Sequence, residues 1–408
     1  MQGRGTHCVS NFAATPIECP IQVKSHRPIR IAGAGPSGLS AAIRLAAAGL
    51  PVEVFEARKA AGGRFIGDFQ VIENMSGPEE APDWLARLGL AVNFFIRPVR
   101  QAVFFGPNLQ AHPVESTKPF AYFIQRGEAA GSLDTGLAAQ AQAAGVRIIY
   151  ETRLRREEAN IVATGPSVPD GLARQAVFPT ALPNTVWVLF DMARAPGGYA
   201  YLFVLEGRAT LGCAITRDFN RMDDYFDRCA RRFAEIAPFS IPAGEATRFG
   251  YSFMSFSLKP SAQMDGRRFV GEAGGFQDFL FGLGLRYALT TGHLAAESFI
   301  HDTRKEATYD TAWRAALGEA QEVSLVNRAL YEWGGNRGLS FLIRRAARGD
   351  VRDYLAGWHA PRAWKRLLLP WVKWRWRRAT PCVHPFGPHW CRQRAAGATP
   401  GAIQWTGR

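Results

Sequence analysis

At 408 residues, 47% of them hydrophobic, the chain is long enough for two layered domains and an appendage. No stretch approaches the ~20 uncharged apolar residues of a membrane-spanning helix. Six cysteines at irregular spacing make no disulfide framework, which points to a reducing, cytosolic setting. The net charge of +14 gives a surface that attracts anions.

Residues 1–27 are polar and proline-containing, with no apolar run of signal-peptide type, and read as a loose leader. Ile29 and Ile31 then supply a short buried strand. Gly33 permits a sharp turn out of it, Ala34 continues that turn, and Gly35 lets the backbone approach a pyrophosphate with no Cβ in the way. Pro36, Ser37 and Gly38 open a helix running to Ala48, whose free N–H groups and dipole favour phosphate, and Gly38 lets it pack close to the strand. Gly49 suits its C-terminal cap. Val52 to Phe55 is a second strand and Glu56, 23 residues after Gly33, a carboxylate placed to accept ribose hydroxyls; Arg58 follows it. A lone G-x-G-x-x-G says little, but here its strand, helix, second strand and acid are all present.

Residues 59–76 read as an excursion rather than a regular helix, in which Gly62 and Gly63 allow close approach to a cofactor and Arg64 reaches a phosphate or forms a surface ion pair. Pro82 to Leu88 is expected as a short helix. Val92 to Phe105 and Phe120 to Gln125 are expected as strands of an inserted substrate sheet, followed by Arg126 and a helix from Ser132 to Ala144. Val146 to Tyr150 and Asn160 to Ala163 bring the chain back to the cofactor sheet, past Leu154, with a turn at Thr164 and Gly165. From Gln175 to about Phe256 the pattern is sheet-rich, with Val186–Phe190, Tyr199–Leu205 and Ala209–Thr216 as strands and Phe219–Ile236 as an amphipathic helix. Arg268 to Gly292 is a second glycine-rich unit. A short strand runs into Gly271 and Glu272, and a helix opens near Gly282 to Gly284, just before Leu285. An acid for ribityl or ribose hydroxyls and a helix N-terminus near an anionic ring suit a flavin dinucleotide better than a nicotinamide one. Beyond Gly292 the chain reads as helical.

These motifs resemble the FAD-dependent oxidoreductases of the para-hydroxybenzoate hydroxylase fold, and within them the geranylgeranyl reductase branch. The residues that carry the resemblance are Gly33 to Glu56, Gly62-Gly63-Arg64, Arg126 with Ser132 to Asp134, Ala163 to Gly165, Gly197 to Phe203, and Gly271 to Gly292. It covers about residues 28–300. One departure is Glu272, where the family usually has Asp. The resemblance implies an α/β architecture: a Rossmann-type FAD-binding domain from 28–175 and 257–300, with strands near 92–125 shared with the substrate sheet. An antiparallel substrate-binding sheet is expected over 176–256, a helical region over 301–360, and a basic, Trp-rich tail over 361–408. It implies Gly33, Ala34, Gly35, Pro36, Ser37, Gly38, Glu56, Arg58, Gly63, Arg64, Arg126, Leu154, Gly165, Glu272, Gly284 and Leu285 as cofactor-binding residues. FAD is the cofactor it implies and NAD(P)H a candidate electron donor.

The chemistry belongs mostly to flavin, and no G-x-S-x-G elbow, H-E-x-x-H or P-loop lysine occurs. Candidate proton donors are Tyr199 and Tyr201, and also Tyr251, although alternate tyrosines on a strand equally suit packing. Phe276, Phe279 and Phe281 suggest an apolar pocket or a packed core under the loop. Trp364 to Arg378 interleaves Trp and Leu with Lys and Arg. It reads either as an interfacial helix for an anionic membrane, the expected partner of 361–378, or as a helix whose Trp and Leu face the protein. Cys382, His384, His389 and Cys391 are four potential zinc ligands, but their spacing fits no familiar finger and a tail without metal is the expectation. No nucleic-acid module accompanies the basic patch. The sequence therefore leaves three functions open. One is an FAD enzyme that reduces or desaturates a hydrophobic, isoprenoid-like or lipid-like substrate in the cytoplasm or at the inner face of a membrane. The others are a hydroxylase of the same fold and a non-catalytic flavin-binding protein.

Overall fold

A computed structural model describes residues 27–166, 170–256, 258–301 and 309–379, with side chains through residue 375. The potential zinc ligands Cys382, His384, His389 and Cys391, the leader to residue 26 and the segment from 380 lie outside the described residues.

Three sheets organise the chain. The first has six strands in the order 263–264, 267–269, 161–162, 29–32, 52–55, 147–149. All neighbours are parallel except the outer hairpin of Gln263–Met264 with Arg267–Phe269. Ile29 pairs with Val52 and Ile31 with Ile161, so the Ile29–Ala32 strand is the centre from which the connections run both ways. Such a point leaves a crevice at the carboxyl ends of the strands. The Pro36–Ala47 helix covers one face and packs against the Leu285–Ile300 helix, with almost no side chain between them. A Cβ on Gly292 would lie 2.1 Å from the Ser37 carbonyl oxygen. Leu39, Ile43, Leu45, Val54, Leu289 and Ala295 fill the core between helices and sheet.

The second sheet has seven strands: 248–254, 171–179, 208–215, 199–205, 185–189, 101–105 and 111–115 in that order. The Met222–Ile236 helix lays Phe226, Cys229 and Phe233 on one face of it. The other face carries Phe104, Phe190, Tyr201 and Phe203 toward Leu280, Tyr331, Leu339 and Ile343. The third sheet is a small antiparallel one in the order 69–73, 121–125, 96–99.

The expected single strand over Val92 to Phe105 is thus two strands in two sheets, Ile96–Val99 in the small one and Gln101–Phe105 in the large one. Pro98 has no N–H to donate, which suits Ile96–Val99 to the edge it occupies. The large sheet also takes Ala111–Glu115, within the span whose strands are expected to be shared with it, and its strand Gly171–Pro179 crosses the boundary expected at 175. Within the excursion over 59–76, Phe69–Glu73 is a strand.

The C-terminal region is a helix Glu319–Ala346, interrupted at Gly335 (φ +51°), then Val351–His359 and Ala363–Ala379. The last helix is docked rather than trailing. Leu368, Leu369 and Val372 pack on Phe256, Phe279, Leu325, Val326 and Ala329, and Arg366 and Lys373 pair with Glu319 and Glu322. Its other face exposes Leu367, Trp371 and Trp374.

Candidate cofactor site and the pocket beside it

The turn after the central strand is shaped by what a side chain would hit. Gly33 has φ +107°, and a Cβ there would meet the Ala163 carbonyl oxygen at 2.4 Å. A Cβ on Gly38 would meet the Gly33 carbonyl oxygen at 2.1 Å. Gly35 differs: its backbone is extended (φ −78°, ψ 174°), and a Cβ there would have nothing within 4 Å. The backbone at Gly35 faces open space, the arrangement a phosphate requires. Gly35 caps the Pro36–Ala47 helix with no side-chain hydrogen bond and no acid in the first turn, leaving the positive end available.

Glu56 follows the neighbouring strand. Its Oε2 accepts the Ala34 N–H and its Oε1 the Arg58 N–H, each at 2.9 Å. Two backbone donors fix the carboxylate beside the glycine turn, and each oxygen keeps a further lone pair. The Arg58 side chain is exposed, whereas Leu154 is buried in a small cluster with Ala32, Phe55, Val162 and Phe269. Gly165 takes φ +72° at the end of the next strand, and Arg64 Nη1 would lie 3.2 Å from a Cβ on it.

The second glycine unit reaches the same carboxyl edge. Gly271 (φ +54°) donates its N–H to Thr291 Oγ1 at 2.9 Å and lies against Ser37. Glu272 is partly buried 3.6 Å from Arg64. Burial pushes its carboxyl above the usual range, while Arg64 and Arg126 pull it back. Arg64 also donates to the Phe253 carbonyl at 3.2 Å, its Nε is buried without a partner, and its guanidinium lies over Phe65. Gly63 is hemmed in: a Cβ would meet Glu128 Oε1 at 2.8 Å. Gly284 caps the Leu285–Ile300 helix, again with no side-chain cap and no acid in its first turn.

Arg126 is already engaged. It makes a buried bidentate pair with Asp134 (2.9 and 2.8 Å), donates to Gln70 at 3.1 Å and stacks on Phe65. Asp134 also accepts the Gly127 N–H, so Arg126 fixes the loop that holds Gly62 and Gly63. Ser132 caps the Leu133–Ala143 helix by accepting from the Thr135 N–H.

Tyr199 and Tyr201 come together on the large sheet with ring centroids 6.1 Å apart. The Tyr199 hydroxyl donates to the Phe281 carbonyl at 2.8 Å. Burial pushes both phenols well above their ordinary value, with Asp278 adding at Tyr199 and Asp68 at Tyr201. Both stay protonated, and Tyr199 is tied to the flank of the second glycine loop. Tyr251 instead donates to Asp223 at 2.6 Å on the other side of the sheet. Phe276 and Phe279 belong to the core under the loop; Phe281 turns toward Phe190 and Tyr199.

Several residues here went unnoticed in the sequence. Asp278 accepts the Phe281 N–H and the Ser324 hydroxyl, both at 2.5 Å, and so sets the course of the loop. Arg328, buried, donates to Glu332, Thr216 and the Leu280 carbonyl. Lys259 donates to the Ala273 carbonyl at 3.1 Å beside Glu272, and burial pushes its amine down to about 8. Asp278 lies inside the second glycine unit, but nothing in that pattern says what it holds; Lys259 lies in no recognisable motif, and Ser324 and Arg328 come from a helix that carries no glycine signature.

The parallel sheet, glycine turn, uncapped helix and strand-end carboxylate define a dinucleotide-binding domain of the Rossmann type. The model for the NAD(P)-binding Rossmann-like domain matches residues 31–68. Over 360 residues the chain is 25% identical to a digeranylgeranylglycerophospholipid reductase of Methanosphaerula palustris, covering 73% of this chain and 84% of that one. A geranylgeranyl bacteriochlorophyll reductase-like protein from Thermoplasma acidophilum shares the fold with TM-score 0.64 and 17% identity, over 85% of this chain and 98% of that one. A probable FAD-dependent monooxygenase from Pseudomonas aeruginosa does so with TM-score 0.54 and 14% identity, over 81% and 99%. The chain thus resembles the geranylgeranyl reductase-like branch of the FAD-dependent oxidoreductases, as its motifs implied.

Proposed function

We propose that the protein is an FAD-dependent oxidoreductase that reduces or desaturates carbon–carbon bonds of a hydrophobic, isoprenoid-like substrate. The observation that carries this is the pair of uncapped helix N-termini, at Gly35 and Gly284, on one sheet edge with Glu56 and Glu272 beside them. One such unit suits a mononucleotide half; two suit a long dinucleotide. The open face of Gly35 and the unpartnered Nε of Arg64 fit an anionic group. Bound there, FAD supplies the hydride chemistry that no side chain of the chain supplies.

The chain's own residues bind, orient and exclude water. The free amides of Gly35, Ser37 and Gly38 would hold phosphate, Glu56 would accept ribose hydroxyls, and Arg64 and Glu272 are further candidates to hold the cofactor. The helix N-terminus at Gly284 and Leu285 favours negative charge on the ring. Phe190, Phe281, Tyr201 and Phe203 form an apolar face for substrate. Tyr199, protonated and held by Phe281, is the candidate proton donor. The relative named as a lipid reductase supports the substrate class.

The reading includes a cytoplasmic protein docked at an anionic membrane through the Ala363–Ala379 helix. Leu367 is 81% exposed, and Trp333, Trp371 and Trp374 stand on the same side of the C-terminal helices. Arg375 lies over Trp371. No described helix is long and apolar enough to cross a membrane.

Likeness in fold to a monooxygenase supports hydroxylation as the rival. Anaerobic NAD(P)H titration followed by air separates the two. A reductase bleaches with its donor and reduces substrate without oxygen. Product that appears only with oxygen and carries one of its atoms overturns the reductase reading.

A further inference from the structure

Next to the apolar face lies a cavity of about 80 Å³ between the second glycine loop and the C-terminal helices. Phe190 and Phe281 belong to both: they wall the cavity, and the Phe281 ring packs edge-on against Tyr199 with centroids 5.9 Å apart. Phe281 comes three residues before Gly284, the cap of the helix whose N-terminus favours a negatively charged ring. The opposite wall is helical, with Ile343 and Ala346 from Glu319–Ala346 and Leu355 and Trp358 from Val351–His359. The tyrosines of the lining turn their hydroxyls to backbone: Tyr331 donates to the Gly198 carbonyl and Tyr354 to the Leu342 carbonyl at 3.2 Å. Water in so apolar a space lacks the polar partners that hold it, whereas hydrocarbon gains dispersion contact with every wall. At ~10–15 Å³ for each water-sized group, there is room for roughly five to eight of them, the size of one isoprene unit. Ala346 is buried and is the smallest side chain of the lining, so a larger residue there takes its volume from the cavity.

We infer that this cavity takes the end of the substrate's hydrocarbon chain, beyond the reacting bond, and that Ala346 sets the longest chain accepted. A chain laid along Tyr199 and Phe281 reaches the helical wall after one further unit, and the bond left against the ring is fixed by how deep the end can go. A hydrophobic pocket discriminates by fit, and each methylene that has no room counts against binding. The inference rests on the proposed function for the substrate class and for the flavin beside Phe281, and it adds the chain-length specificity that reading leaves open.

The test is titration of full-length protein with geraniol, farnesol and geranylgeraniol, read by tryptophan fluorescence, since Trp358 lines the cavity. The three share one head group and differ by single isoprene units. In wild type, affinity rises with length to an optimum. Ala346→Leu fills the cavity, moves the optimum one unit shorter and weakens the alcohol that wild type binds best by about 10–200-fold. Leu355→Ala, on a half-buried helix face, enlarges the cavity and moves the optimum the other way. Loss of packing alone weakens all lengths together and cannot move the optimum in opposite directions. Either shift upholds the inference. An optimum that stays in place in both variants, or a loss that is equal at all lengths, overturns it and leaves the cavity a packing void. Flavin content is measured on the same samples. A colourless protein whose optimum still shifts refutes the flavin reading and upholds the cavity; a yellow protein whose optimum does not shift refutes only the cavity.

Discussion

Gly35 and Gly38 lie three residues apart in one motif, yet substitution by alanine should act on them through different physics. At Gly35 the backbone is already extended (φ −78°, ψ 174°) and a Cβ meets nothing within 4 Å. Alanine therefore leaves the free protein nearly intact. The change from glycine to alanine at a helix N-cap costs on the order of 1 kcal/mol or less, or about 2–4 °C in a domain of ordinary size. With FAD the same methyl stands between the backbone and the phosphates. Losing one charge-assisted hydrogen bond, worth roughly 1.5–3 kcal/mol, weakens binding about 10–150-fold. At Gly38 the added Cβ sits 2.1 Å from the Gly33 carbonyl oxygen and 3.1 Å from Ala163 Cβ. Backbone must move, at a cost of about 1–3 kcal/mol or more, and stability and binding fall together. The assay is thermal unfolding of the flavin-stripped proteins, then FAD titration by quenching of flavin fluorescence. A Gly35→Ala protein that binds FAD like wild type places the phosphates elsewhere. One that unfolds without FAD refutes the account of the open face.

Glu56→Ala should weaken FAD by about 10–150-fold through loss of a charged acceptor; unchanged affinity in a folded variant would mean the carboxylate serves only the Ala34 and Arg58 amides. Lys365 is 1% exposed, and burial pushes its amine from 10.5 down to about 8. The unfolded chain then holds more protons between those values, so stability should rise with pH from about 8 to 10 and be flat just below. Lys365→Met should reduce that rise in urea unfolding at several pH values, Lys259 keeping part of it; an unaltered slope would exclude Lys365. Binding to phosphatidylglycerol vesicles should fall steeply with salt and drop in Leu367→Asp and Trp374→Glu variants that keep their FAD spectrum. Indifference of full-length protein to vesicles at low salt would leave the exposed tryptophans to another partner.

The cofactor domain was legible because its parts are local. Each glycine's reason lies within a few residues of it, and Ile31, Val54 and Ile161 announce a sheet buried on both faces by being apolar throughout. The division of 92–125 between two sheets was not legible. Val99 and Ala102 are both buried and apolar, and nothing local says that one pairs with Ala121 and the other with Val114. Ser324, Arg328 and Tyr331 were missed because a helix's period marks which face is buried, not what that face meets. The Trp-rich helix was ambiguous for a related reason. It is apolar on two sides, one docked through Leu368 and Val372 and one exposed through Leu367 and Trp374, so its pattern supported both readings.

The most direct test of the central claim is the chromophore of the purified protein. The protein should be yellow and release FAD, intact and non-covalently held, on denaturation, since no His or Cys occurs in Gly33–Glu56 or Gly271–Gly284. FMN in its place, or a colourless protein that folds yet does not take up FAD, would contradict it.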